Sequence, residues 1–480
     1  MGFFADQKLQ KLRVTGGPPI AICQAAIGRG ATWGPDDTIV FNPSGGFGAG
    51  LLRVSASGGD PQQISRPDPS KDENSHRWPQ FLPGGKQVIF TIWTTPGFPT
   101  ARIAVLDLAS GQIRSVAGPG SLARFSGGFL VFARTEGLAI ARFNSEKLEL
   151  EGSVVSTGIE VAGSAGSGVA QFAIGPSGLI VYAPGVTTTR STLVMVDRDG
   201  TEHDLHQRPG FWVRPRISPD GTQLVVSLLE AGNFDLWTLD FSRQTLTRLT
   251  SADTAEFQPI WNRDGAHVTF TSNRLGPLNL SSMPANGTGP GERLTTSANA
   301  QIPSAWSPDG KSLAFVQMDP RTRADIWMLS PGGDRKPEPF LNSQFNELEP
   351  VFSPDGRWII YSSDESGKNE VYLQPLSRDR GGKLKISTDG GFDATWISRR
   401  DEIYYRNGND LLAVAVKTEP KLLIGVPRLL IRGRYLKILN GPNYDVTPDG
   451  LHFVMQKPVD SVNPQQPLHV ILNAFEELSR

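Results

Sequence analysis

Short apolar runs alternate with polar, glycine- and proline-rich breaks along nearly the whole chain, and helical periodicity is almost absent. The runs include "QVIFTI", "LVVSLL", "HVTFTS", "SLAFVQ" and "WIIYSS", each preceded by a tight-turn sequence. Ser307-Pro308-Asp309-Gly310 shows the turn chemistry. Serine suits the first position of a type I turn because its hydroxyl bonds nearby backbone. Proline fixes φ at the second, and glycine suits the fourth. The same phrase returns at Ser353-Pro354-Asp355-Gly356. The pattern encodes strand, tight turn, strand.

The aromatic or apolar residue just before each turn serves as an anchor. Ten anchors recur: Trp33, Phe81, Phe125, Phe172, Ile217, Trp261, Trp306, Phe352, Trp396 and Val446, spaced 44 to 50 residues apart. A second strand follows each turn. A third comes about a dozen residues later, as in "DLWTLD", "DIWMLS", "EVYLQP" and, after the last anchor, "HVILNA". A polar segment such as "QTLTRLT" closes most units. Four short strands per roughly 45 residues is the signature of a propeller blade.

Ten anchors exceed the roughly 4 to 8 blades of one ring, so two rings are expected. The fold class is all-β, with two tandem β-propellers of four-stranded blades. The C-terminal ring, 191–480, has six blades, and the N-terminal one, 1–190, is incomplete or irregular. "GTEHDLHQ" is placed to supply the missing fourth strand of the last blade. The opening "GFFADQKLQKLRVTGGPPIAIC" reads as strands two to four of a blade whose first strand is missing, so the chain is expected to be the downstream part of a longer protein or the product of a gene start assigned too late. Only "AFEELSR" reads as a helical turn.

Composition adds exclusions. The net charge is -1 and charged residues make up 20%, which gives no electrostatic footprint for nucleic acid. Cys23 is the sole cysteine, so no internal disulfide forms. No apolar run approaches the about 18 residues that cross a bilayer. "MGFFADQKLQ" has neither the charged and apolar regions of a signal peptide nor a myristoylation serine or threonine.

The phrase P-x-[WF]-S-P-D-G-x-x-[IL]-x-[FY] resembles the WD40-like (PD40) repeat of the TolB propeller family, at Pro259–Trp261 with Asn262–Gly265 and at Pro350–Phe352 with Ser353–Gly356. "SHRWPQFLPGG", the opening segment and the ending "VILNAFEELSR" are similar to the C-terminal propeller region of bacterial eukaryotic-like serine/threonine kinases. That resemblance implies a sensor or docking role outside the cytoplasm, beside a kinase domain and a membrane span. Neither H-R-D-x-x-x-x-N nor D-F-G is present, so no kinase activity is carried over.

Searches for catalytic chemistry return structural readings. No G-x-S-x-G occurs, so a nucleophile elbow is unsupported. Gly310-Lys311-Ser312 ends like a phosphate loop, but Ala305 stands where its first glycine belongs. His203 and His206, three apart on a strand, face opposite sides and do not chelate a metal. Asp364, Glu365 and Glu370 lack the calcium-loop pattern. Glycine-rich "VAGSAGSGVA" reads as a connector. No catalytic residue, metal site or cofactor is assigned.

The candidate binding residues come from position. The third and fifth residues before each anchor begin the innermost strand, and alternation puts both columns on one face, at the channel mouth. They include Trp212, Arg214, Glu256, Gln258, Glu347, Glu349 and Asp393, an acidic funnel suited to a cationic peptide or small ligand. His76, Arg77 and Trp78 form a second cluster, at the start of an innermost strand of the first ring. The expected function is a non-catalytic module binding a protein, peptide or small ligand at a propeller face, with periplasmic or extracytoplasmic placement implied by the kinase resemblance. Two rivals stand: a propeller glycosidase or lyase using Glu347 and Glu349 as a carboxylate pair on one strand face, and a periplasmic TolB-like scaffold.

Overall fold

The turn serines do what the sequence asks of them. Ser307 Oγ donates to Asp309 Oδ1 at 2.6 Å and accepts from the backbone N–H of Ser312 at 2.9 Å. Gly310 N–H closes the turn onto the Ser307 carbonyl, with Gly310 at φ +70. Ser353 repeats the arrangement, accepting from Trp358 N–H at 2.9 Å. Each turn reverses the chain and delivers the next apolar run as an antiparallel partner.

The structure, a computed structural model, describes residues 1–480 except 6–7, 26–27, 45–47, 95–96, 98–99, 165, 186–189, 231–232, 290, 320, 333–334, 378–381, 438–440, 460–466 and 478–480. The chain divides into two compact units: Met1–Thr189 with Asp460–Arg480, and Arg190–Val459.

The second unit is a ring of six antiparallel blades, numbered here I to VI in order of their innermost strands. Blade II comprises Glu256–Trp261, His267–Ser272, Asn279–Pro284 and Glu292–Arg293. Blade III comprises Gln301–Trp306, Leu313–Asp319, Arg323–Leu329 and Glu338–Leu341. Blade IV comprises Glu347–Phe352, Trp358–Ser363, Glu370–Pro375 and Leu384–Lys385. Blade V comprises Phe392–Ile397, Glu402–Asn407 and Asp410–Lys417, whose third strand pairs with both Leu423–Ile424 and Arg428–Arg432.

Blades I and VI share one strand. Glu202–Ile217 pairs through 202–210 with Ser191–Asp197, and through 211–217 with Gln223–Glu230. Its first half is the outer edge of blade VI, and its second half is the innermost strand of blade I, which continues to Asn233–Asp240 and Thr245–Arg248. Ser191–Asp197 pairs in turn with His452–Pro458, which pairs with Asp445–Val446. "GTEHDLHQ" therefore lies on the outer edge of blade VI, one strand beyond Ser191–Asp197. Beside this closure, the Val459 N–H donates to the Arg190 carbonyl at 2.9 Å.

The anchors explain the period. Each of the six in the second unit sits in a hydrophobic cluster built from its own blade and the blade before it. Trp261 packs with Val225 and Leu236, Trp306 with Ile260 and Leu280, and Phe352 with Ala314. Trp396 packs with Ile360 and Val371, Val446 with Tyr404 and Ala413, and Ile217 with Leu193 and Val454. Burying such a side chain contributes on the order of 2–3 kcal/mol. The turns meet around the ring as well. A Cβ built on Gly221 would lie 3.3 Å from Pro448, one on Gly265 3.9 Å from Pro219, and one on Gly356 3.6 Å from Pro308. Proline and glycine of the motif thus serve two blades at once.

The first unit has three four-stranded sheets, beginning at Ala31–Trp33, Glu73–Phe81 and Ser121–Ser126. It also has two three-stranded ones. Gly2–Ala5, Lys8–Lys11 and Ile20–Gln24 form the first, as the opening segment suggested. Phe172–Ile174 and Ile180–Tyr182 form the second, completed by His469–Ile471. Here the sequence pattern is corrected. "HVILNA" is not the third strand of the last blade of the second ring, because Ser191–Asp197 already fills that place, and the second unit ends at Val459. The helix Ala474–Glu477 follows, and Phe475 stacks on Phe129 with ring centroids 4.5 Å apart.

Candidate functional site

A β-bulge at one fixed place in the innermost strands decides where the candidate side chains go. In blade I, Val213 pairs with Ser227 but Arg216 pairs with Val225, so one residue is extra. The same shift occurs in blades II to V and at Arg77/Gln80 and Ser121/Arg124 of the first unit. Except in blade III, where Pro303 stands, the third residue before the anchor of these strands takes the left-handed conformation: Trp78, Leu122, Arg214, Gln258, Glu349 and Asp393 have φ from 50 to 58. This is rare for residues with side chains and is a known device for re-aiming them. The N–H groups turned out by the bulge are bonded by the preceding blade: Arg214 N to Asn443 Oδ1 at 2.9 Å, Gln258 N to Ser227 Oγ at 3.0 Å, Asp393 N to Glu349 Oε2 at 2.6 Å.

Strict alternation fails at that residue, and the two columns part. The fifth-back side chains enter the seams between blades instead of the channel mouth. Glu347 bonds Ser343 and lies near Asp325 and Asp364; burial pushes its carboxyl up to about 7, and those two charges add to the effect. Glu256 is also raised by burial, against a hydrogen bond from Thr250, and lines a lateral cavity of 370 Å³. Trp212 is fully buried in the seam of blades VI and I, edge-on to His206, with its indole N–H on the Arg208 carbonyl. His76 takes the same seam position in the first unit, bonding Ser65 Oγ at 2.8 Å and packing on Phe90. Glu347 and Glu349 accordingly do not share a face, and the paired-carboxylate reading of that strand is withdrawn.

The third-back column reaches the axis of the second unit. Arg214 of blade I feels the charges of Glu349 and Asp393 from blades IV and V across the ring. Burial brings the Arg214 guanidinium down to about 9; Arg216 pushes the same way and the two carboxylates oppose. Asp393 is fully buried and its carboxyl is held well above the usual range, first by burial and then by Glu349, with Arg406 and Arg214 opposing. Both Asp393 carboxylate oxygens, Arg214 Nε and Gln258 Oε1 are buried without a hydrogen-bond partner among the described residues. A Cβ on Gly441 would fall 1.4 Å from an Arg214 guanidinium nitrogen, so that guanidinium occupies the space glycine leaves. The expected acidic funnel is therefore not formed: two carboxylates at the axis face two arginines. Sequence reasoning missed Arg406 and Tyr444. Arg406 donates to the carbonyls of Tyr435 and Leu436, both at 3.0 Å, and the Tyr444 hydroxyl donates to the Asp393 carbonyl at 2.8 Å. The visible signal was an arginine inside the apolar run "EIYYRN".

Next to these groups lies a cavity of 430 Å³. All six blades line it, through the anchors Ile217, Trp261, Trp306, Phe352, Trp396 and Val446, with Arg214 and Glu349 among its other lining residues. Trp261 Nε1 donates to the Arg216 carbonyl at 2.9 Å, whereas Trp306 Nε1 is buried with no partner among the described residues. This volume lies in the ordinary range for small-ligand sites, about 300–1,000 Å³. Among the described residues no group of His, Cys, Asp and Glu converges as a metal site. His203 bonds Asp197 at 2.8 Å, apart from His206.

In the first unit the cluster around Trp78 is already engaged. Arg77 Nη1 and Trp78 Nε1 both donate to the Ser167 carbonyl, each at 3.1 Å, and Arg77 lies 4.8 Å over the Trp93 ring. Ser167 belongs to the glycine-rich stretch expected to be a plain connector. That stretch forms a hairpin, Gly163–Ser164 with Val169–Ala170, held by these donors and by Ser121 Oγ on the Gly168 carbonyl at 2.8 Å. A Cβ on Gly168 would lie 2.4 Å from Trp93, which is why glycine is needed there.

Four-stranded antiparallel blades repeated about an axis make this an all-β propeller protein. More particularly, residues 186–330 match the family model described as the TolB beta propeller domain (PD40). An uncharacterized protein of Agrobacterium fabrum is 26% identical over 162 residues, 32% of this chain and 54% of that one, so the chain spans about half the length of this relative. Among solved structures, a TolB-like protein of Agrobacterium tumefaciens is 18% identical at a TM-score of 0.45, covering 57% of this chain and 99% of that one. TolB of Acinetobacter baumannii is 17% identical at 0.37, covering 66% and 80%. An oligogalacturonate lyase of Vibrio parahaemolyticus is 12% identical at 0.39, covering 63% and 81%.

Proposed function

We propose that the second unit is a non-catalytic binding module whose ligand or partner segment enters the axial cavity. One observation carries this: a cavity of 430 Å³ is shared by six blades, and two of its lining residues, Trp306 and Arg214, each hold a buried N–H with no partner among the described residues. Unpaired buried donors cost on the order of 1–3 kcal/mol each, and a ligand that accepts from them recovers that cost. Ala305 lines the cavity and is only partly buried. Ala305→Trp fills the space. It is expected to abolish binding of any ligand that raises the melting temperature of the unaltered protein, while circular dichroism stays that of the folded chain. Binding unaffected by this substitution would refute the proposal.

The kinase-receptor context is part of the same reading and is supported by the three sequence phrases that carry the resemblance. The genomic sequence upstream of Met1 tests it. A kinase domain and a membrane span in frame support the reading, and an in-frame stop directly upstream defeats it.

A further inference from the structure

The turns at the mouth of the axial cavity are not all alike. Blades I, III, IV and VI turn on a proline: Pro219, Pro308, Pro354 and Pro448. Blades II and V have none there, and each contributes an arginine to the cavity lining instead, Arg263 and Arg399. In a ring of six, blades II and V are opposite one another. Both arginines are exposed, and neither has a hydrogen bond or ion pair among the described residues.

The charges of the rest of the lining balance, so the two mouth arginines set its sign. Arg214 and Arg216 add two cations, against the carboxylates of Glu349 and Asp445. Those carboxylates are engaged by backbone: Glu349 accepts from Asp393 N–H at 2.6 Å, and Asp445 from Ile217 N–H at 2.7 Å. Arg216 is spent on the carbonyls of Pro215, Tyr444 and Pro442. The donors without a partner among the described residues are thus the two mouth guanidiniums, the buried Arg214 Nε and the buried Trp306 Nε1, and the wall between them is aromatic.

Resting on the reading of this cavity as a binding site, we propose that it takes a ligand bearing carboxylates on an apolar body. Arg263 and Arg399 hold the anionic groups from opposite sides, and Trp306 supplies a further N–H. Guanidinium is the natural partner here because its planar fork matches a carboxylate two bonds at a time. The same chemistry is offered by a free dicarboxylate and by the acidic side chains of an extended peptide.

Calorimetric titration of the full chain tests this with four probes: octanedioate, its uncharged diamide, the eight-carbon diamine, and the peptide Glu-Leu-Leu-Glu. The expected result is binding of octanedioate or the peptide, weakened by salt, with no binding of the diamide or diamine. Whichever anion binds identifies the source. Arg263→Gln and Arg399→Gln should each weaken that binding about tenfold or more, as loss of a charged hydrogen bond does. Trp306→Phe should weaken it less. Equal binding of the diamide or the diamine, undiminished affinity in the double arginine variant, or binding of neither anion would overturn the charge assignment. If an uncharged or cationic probe binds and Ala305→Trp removes that binding, the cavity reading stands and only its sign is lost.

Discussion

Asp393 gives its backbone N–H to Glu349 Oε2, at 2.6 Å, while both oxygens of its own buried carboxyl have no hydrogen-bond partner among the described residues. The backbone of one acid hydrogen-bonds the carboxylate of another, and the donor's own side chain is left beside its neighbour's charge. That is why burial and Glu349 together hold the Asp393 carboxyl far up. Between the unfolded value, about 4, and the raised folded value, the native state binds the extra proton, so stability falls as pH rises through that window. Asp393→Asn is therefore expected to raise the melting temperature at pH 8 and to leave it unchanged near pH 3. Thermal scans at both values check this, and a loss of stability at pH 8 would contradict it.

Glu347 offers the same test in a seam. Its carboxyl is pushed up to about 7, from 4.5, mainly by burial. Stability contributed by its protonated form is present below pH 4.5 and is lost as pH rises towards 7. Glu347→Gln should stabilise the protein by on the order of 2 kcal/mol at pH 8, with little effect at pH 4. Urea midpoints at the two pH values report it.

Gly441 and Arg214 are matched by shape. A Cβ at Gly441 would strike the Arg214 guanidinium at 1.4 Å, and Gly441 has φ +148. Gly441→Ala is expected to cost roughly 2–4 kcal/mol through clash and backbone strain. Adding Arg214→Ala should return the clash part and leave the strain. A double-mutant cycle showing simple additivity would disprove the contact.

The two central tryptophans should respond differently. Trp261 Nε1 bonds a carbonyl, and Trp306 Nε1 has no partner among the described residues. Phenylalanine at 261 removes a satisfied hydrogen bond, and at 306 it removes a buried orphan. Trp261→Phe is expected to cost about 1 kcal/mol more than Trp306→Phe, measured by chemical denaturation.

Ser353→Ala tests the turn motif. Its hydroxyl accepts from Trp358 N–H and Arg357 N–H and donates to Asp355. Loss of this hub should cost on the order of 1–2 kcal/mol, while Ser366→Ala, on an exposed hairpin, should be near neutral. Equal effects would mean that the motif's serine is incidental.

The architecture was readable because each anchor, Trp261 or Trp396 for example, must fill a seam of fixed size, so a packing requirement became a spacing. The site was only half readable. Arg214, Glu349 and Asp393 reach the axis, yet Trp212, Glu256 and Glu347 do not. The reason is a single left-handed residue per strand. It defeats the period of two, and no residue type marks it: arginine, glutamine, glutamate, aspartate, tryptophan and leucine all occupy the place. At Arg214, Gln258 and Asp393 its N–H is taken by a side chain of the preceding blade, such as Asn443, distant in sequence. The strand His469–Ile471 was misplaced for a related reason, since "HVILNA" has the right composition for either unit and only the prior occupation of blade VI by Ser191–Asp197 decides.

The bond from Val459 N–H to the Arg190 carbonyl places the entrance and the exit of the six-bladed ring side by side. Such a ring is a cassette. Its ends meet at a neck, so a recombination event could splice it into a host sheet or lift it out whole, leaving the host's flanking strands, Ile180–Tyr182 and His469–Ile471, free to remain zipped.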